Sequence, residues 1–81
     1  MQVTAELSLY PLHNEYEESV WDFIKDLREN TALEVQTNGM STQVFGDIDV
    51  LMPCISKAIK QVYEKNKAIL VMKLGKGTLK L

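Results

Sequence analysis

With a single cysteine, Cys54, the chain cannot close a disulfide within itself. Small secreted domains rely on such staples, so their absence reads as a reducing, cytoplasmic setting. Two prolines and four glycines in 81 residues are too few for a collagen-like or low-complexity chain. The 46% hydrophobic share excludes disorder by composition. Positive charge is not in excess: nine Lys plus Arg face eleven Asp plus Glu, for a net charge of −2. A general nucleic-acid binder needs the opposite balance, and no nucleic-acid partner is expected. The longest aliphatic run, residues 68–72, is far short of the roughly 20 residues of a membrane span, so no membrane insertion is expected. Glu6 interrupts the apolar stretch at the N-terminus and no basic leader precedes it, so no signal peptide is expected.

Reactive chemistry is also scarce. There is no Cys-x-x-Cys pair and no Gly-rich loop opening a helix, which leaves metal transfer and phosphate cradling unsupported. His13 is the lone histidine and falls at a turn, where a solvated role is the ordinary one; Cys54 falls on an apolar helical stripe and reads as a small core residue. Nothing assembles a nucleophile, a base and an orienting group, so the reading is non-enzymatic, with no metal and no cofactor.

What is present is a clear succession of elements. Residues 2–10 alternate, with Val3, Ala5, Leu7 and Leu9 on one side and Thr4, Glu6, Ser8 and Tyr10 on the other, and Pro11 ends this strand. Asn14 opens a helix through a capping box with Glu17, and Glu15, Glu17 and Glu18 crowd its first turn. Tyr16, Val20, Phe23, Ile24 and Leu27 form its stripe, flanked by Trp21. Two short strands, 33–37 and 41–45, surround Asn38-Gly39, a hairpin signal because both residues tolerate positive φ. A second helix begins at Asp47 or Asp49 and reaches about Asn66, its stripe made by Leu51, Cys54, Ile55, Ala58, Ile59 and Val62. Residues 68–74 are nearly continuously apolar, which predicts a strand that is central or covered on both faces. Residues 78–81 could add a short edge segment.

The order β-α-β-β-α-β predicts an α+β, ferredoxin-like domain spanning residues 1–81, with two helices on one face of a four-stranded antiparallel sheet. The other face mixes Glu6, Ser8, Tyr10 and Asn38 with Phe45, Ile69 and Val71, a half-apolar surface that a second copy of the chain is expected to cover. Antiparallel pairing of the first strand with 41–45 would bring Ser8 and Tyr10 near Asn38, Met40, Ser41 and Thr42. Hydroxyls, an amide, an aromatic and a thioether suit a small heteroaromatic ligand. From spacing alone, the same hairpin residues read first as ordinary turn and strand polars.

Residues 4–12 (TAELSLYPL), 37–42 (TNGMST) and 44–47 (VFGD) resemble the thiamine-binding, YkoF-like protein family, in its short single-domain form. The resemblance covers nearly the whole chain. It implies a ferredoxin-like fold pairing through its sheets into homodimers or homotetramers. It further implies binding of thiamine or its hydroxymethylpyrimidine moiety without catalysis, in cytoplasmic vitamin salvage or beside a transporter. Carried over residue by residue, the ligand-binding set is Ser8, Tyr10, Asn38, Met40, Ser41 and Thr42. Asn38, Ser41 and Thr42 would meet the aminopyrimidine, Tyr10 and Met40 would wall it, and Glu6 is a weaker candidate to offset the thiazolium charge. The competing expectation is a regulatory or assembly module that uses the sheet only for protein pairing. That module would have its 38–42 hairpin filled by neighbouring side chains, whereas a binding protein would have an open, ligand-sized pocket there.

Overall fold

The computed structural model describes residues 1–14 and 16–80. Its elements run β1 (Gln2–Pro11), α1 (Tyr16–Arg28), β2 (Glu34–Thr37), β3 (Thr42–Asp47), α2 (Ile48–Lys65) and β4 (Ala68–Lys76). The strands form one antiparallel sheet in the order β2-β3-β1-β4. This is the ferredoxin-like α+β arrangement that the hydrophobic periodicity predicts.

Period-two alternation sends Val3, Ala5 and Leu7 of β1 under the helices. There they meet Val44 of β3, Phe23 and Leu27 of α1, and Leu51, Ile55, Ala58 and Val62 of α2 in one buried cluster. Asp47 caps α2, its carboxylate accepting from the Asp49 amide at 3.1 Å. Pro53 is the sixth residue of α2, past its first turn, so the helix lacks the one ladder bond that an N–H there would give to the Asp49 carbonyl. Asn14 lies in a turn and Glu15 outside the described residues, so the capping box and Glu15's place in the first turn are not visible. Glu17 and Glu18 do occupy the first turn of α1.

Four expectations need correction. β4 is neither central nor covered: it is an edge strand, paired with β1 alone, and Ile69, Val71, Met72 and Leu74 are exposed. The unbroken apolar run reflects two half-exposed faces rather than burial. Second, the Asn38-Gly39 turn uses no positive φ; among the described residues only Gly77, at 86°, does. The hairpin closes instead through the loop 38–41, with the Asn38 amide donating to the Ser41 carbonyl at 3.1 Å. Third, only the C-terminal half of the α1 stripe is buried; Tyr16 and Trp21 are exposed. Fourth, residues 78–80 add no strand, and Leu81 lies outside the described residues.

Instead, residues 77–80 cross the face of the sheet that the helices leave open. Gly77 turns the chain back, its amide donating to the Gln2 carbonyl at 2.8 Å. Thr4 Oγ1 donates to the Gly77 carbonyl and accepts from the Leu79 amide, both at 2.8 Å. Leu79 crosses over Gly75, where its Cδ1 would stand 2.7 Å from any Cβ. Lys80 then places its ammonium 5.0 Å from the Phe45 ring centroid and bonds Glu34 Oε1 at 2.6 Å. Thr4 and Phe45, both on the open face by register, are buried for this reason.

Candidate functional site

β1 is longer than its neighbour. Its pairing with β3 stops at Leu7↔Thr42, whereas its pairing with β4 continues to Pro11↔Ala68. Past Leu7 one edge of β1 therefore has no strand beside it. The first turns of α1 and the loop 38–41 stand around this gap and leave a cleft of about 480 Å³. Ser8, Tyr10, Asn38, Met40, Ser41 and Thr42 all line it. The antiparallel register brings the two polar sets together.

The hydrogen bonds determine what each side chain has left to offer. Asn38 Oδ1 accepts from the Met40 amide at 2.7 Å and the Ser41 amide at 3.0 Å, an Asx turn that fixes the loop. Two backbone donors on one atom identify it as the carbonyl oxygen, so the Nδ2 hydrogens are what Asn38 can present to a ligand. Ser41 Oγ donates to Glu6 Oε2 at 3.2 Å, which leaves its lone pairs as acceptors. Thr42 is buried, and its hydroxyl pairs with that of Thr37 at 2.7 Å. Two hydroxyls in one pair use one hydrogen between them, so the pair keeps one donor.

Glu6 lies on the open face of the sheet rather than in the cleft lining. Its other oxygen is 3.6 Å from Lys73 Nζ across the β1–β4 ladder. The cleft has a different carboxylate, Glu17, in the first turn of α1. Tyr16, Val20 and Trp21 line it too. The periodicity of α1 assigned Tyr16 and Val20 to the core stripe, with Trp21 flanking it. The sheet reaches under the C-terminal part of that stripe, burying Phe23, Ile24 and Leu27, but β3 ends before the N-terminal part. The signal that could have found them is Trp21, which falls off the stripe and so needs another partner. Tyr10, Tyr16, Trp21 and Met40, between 53% and 88% exposed, make the rim. Large apolar side chains gathered at a concave mouth mark a binding surface.

Other candidates lack this convergence. A groove of about 630 Å³ between α1 and α2 includes Asp26, Glu29, Lys57 and Cys54. Burial pushes the Cys54 thiol above its ordinary value of 9.0, so it stays protonated and unreactive at neutral pH. His13 Nε2 lies 3.0 Å from Ser19 Oγ, tying the β1–α1 turn to the helix. Among the described residues no three His, Cys, Asp or Glu side chains come together as metal ligands. No helix of the described residues is long and apolar enough to cross a membrane.

A split βαβ sheet whose central strand overruns its neighbour into an aromatic-rimmed cleft defines a ferredoxin-like domain built to bind. The sequence profile of the thiamine-binding protein family matches residues 5–78, and the chain belongs to that family. Three solved structures are similar in fold. One is a Streptococcus pneumoniae protein, with a TM-score of 0.87 and 17% identity over 98% of this chain and 90% of that one. Another is a Methanocaldococcus jannaschii protein, with a TM-score of 0.82 and 25% identity over 99% and 84%. The third, from Thermotoga maritima, is named for thiamine biosynthesis or salvage; its TM-score is 0.84, with 12% identity over 95% and 85%. At 17% and 12% identity the first and third speak to the fold alone. No curated protein sequence matches the chain.

Proposed function

We propose that the protein binds thiamine or its hydroxymethylpyrimidine moiety in the cleft between β1, α1 and the loop 38–41, without catalysis. The observation that carries this reading is the cleft itself. At about 480 Å³ it has the volume of a small-molecule site, roughly 300 to 1,000 Å³, and is lined by all six residues that the family motifs nominate. An aminopyrimidine offers an exocyclic amine donor beside ring-nitrogen acceptors. Ser41 Oγ can accept from the amine, Asn38 Nδ2 and the hydrogen left to the Thr37–Thr42 pair can donate to the ring nitrogens, and Tyr10 and Met40 can cover its faces. Membership of the thiamine-binding family supports the same ligand class.

The reading extends to a cytoplasmic homo-oligomer, dimeric or tetrameric, that holds the vitamin for salvage or transport. Ile69 and Val71 stand exposed on the open face of the sheet beside Tyr10, where a second copy would cover them. A module built only for protein pairing would have this hairpin packed shut, and an open cleft favours the binding protein. Calorimetric titration with thiamine and, separately, with hydroxymethylpyrimidine tests the reading. Saturable heat at one site per chain is the expected result. No heat with either, on folded protein, would overturn it in favour of the pairing module.

A further inference from the structure

The charge of the cleft says which form of such a ligand it takes. Its lining holds one carboxylate, Glu17, and no Lys, Arg or His among the described residues. The N-terminus of α1 opens beside it, and the helix dipole alone would favour an anion there, with about half a positive charge. Glu17 and Glu18 in that first turn outweigh this, so the local balance is negative. Across the mouth stand the exposed rings of Tyr10, Tyr16 and Trp21, whose faces attract cations. The carboxylate on the open face, Glu6, already faces Lys73. Glu17 is bonded to no cation among the described residues, and its charge remains available to a ligand.

We propose that the cleft selects an unphosphorylated heteroaromatic cation, with Trp21 and Tyr16 stacking on the charged ring and Glu17 offsetting its charge. The inference rests on the binding function above and deepens it. Thiamine, a cation through its thiazolium ring, is the favoured form. Hydroxymethylpyrimidine, which is neutral, loses the cation contribution. Thiamine monophosphate brings an anionic group to a cleft with no cation to receive it, against Glu17.

Trp21 is the only tryptophan of the chain, so its fluorescence reports on this rim directly. Emission excited at the tryptophan edge is followed during titration with thiamine, thiamine monophosphate and hydroxymethylpyrimidine, with calorimetry in parallel, on the wild type and on Glu17→Gln. The expected result is quenching by thiamine at the lowest concentration, with the monophosphate weaker by about tenfold or more. Glu17→Gln should weaken thiamine about three- to tenfold and leave hydroxymethylpyrimidine unchanged. Equal affinity for thiamine and its monophosphate overturns the charge selection, as does an equal loss for both unphosphorylated ligands in Glu17→Gln; either result leaves the binding function standing. Heat without any change in Trp21 emission overturns the placement of the cation. If none of the three ligands binds, the binding function itself fails and this inference with it.

Discussion

Asn38 holds its loop through Oδ1 and, in the proposed site, presents Nδ2 to the ligand, and substitutions can separate the two. Asn38→Ala removes the acceptor that holds the Met40 and Ser41 amides, which should lower stability by about 1 kcal/mol in denaturant melts and weaken ligand binding as well. Asn38→Asp keeps an acceptor oxygen for the loop but removes the Nδ2 donors. Its stability should stay within about 0.5 kcal/mol of wild type while calorimetry shows weaker binding of hydroxymethylpyrimidine. A destabilised Asn38→Asp with unchanged affinity would reverse this division of labour. At this scale much of the lining of the candidate cleft was legible, because Ser8, Tyr10, Asn38 and Ser41 are polar or aromatic side chains at strand ends and in a turn, off the apolar stripes of the core. Glu17, Tyr16 and Trp21 were not. Helical periodicity identifies an apolar stripe but not where along the stripe the sheet beneath it stops.

Among the elements, the tail over the sheet offers the sharpest tests. Thr4→Val removes the hydroxyl that bonds both Gly77 and Leu79, and should cost about 1–2 kcal/mol and expose the 77–80 amides to hydrogen exchange. The far end of the tail is held by Lys80, whose ammonium bonds the Glu34 carboxylate and holds its pKa below the ordinary 4.5. A carboxylate with a depressed folded pKa contributes stability above its unfolded value and loses it as pH falls through the folded one. Tail protection should therefore be full above about pH 5 and fade below 4.5, and earlier fraying in high salt should follow from the exposure of the pair. Protection that is indifferent to acid would assign tail docking to Leu79 and Thr4 alone. The strand and helix order could be read from periods of two and 3.6 residues because both depend on local spacing. The edge position of β4 and the path of the tail could not. Which strand ends a sheet is set by pairing partners more than sixty residues away, such as Val3 and Lys76, and a stretch like 77–80 carries no period at all.

On the scale of the whole molecule, the tail divides the open face. It covers Thr4 and Phe45 and leaves Ile69, Val71, Lys73, Ser8 and Tyr10 as the part on which another copy can pack. On the proposed pairing, Val71→Glu would bury a carboxylate at the centre of that part and should leave the chain monomeric in sedimentation where the wild type is oligomeric, with the fold intact by circular dichroism. A variant that sediments as the wild type would remove the open face from the proposed pairing. The position of β1 has a different consequence, for how the chain reaches this state. The central strand comes first in the sequence, and its neighbours β3 and β4 follow much later, so no part of the sheet except the β2–β3 hairpin forms from local contacts. Folding must close nearly the whole chain before β4, whose first five residues from Ala68 to Met72 are an uncharged run, finds its one partner. Until then that run is an unpaired, apolar strand open to its counterpart on another chain. Refolding should therefore be slow for a protein of this size, and its yield should fall as protein concentration rises, with β4 as the segment that joins the aggregates.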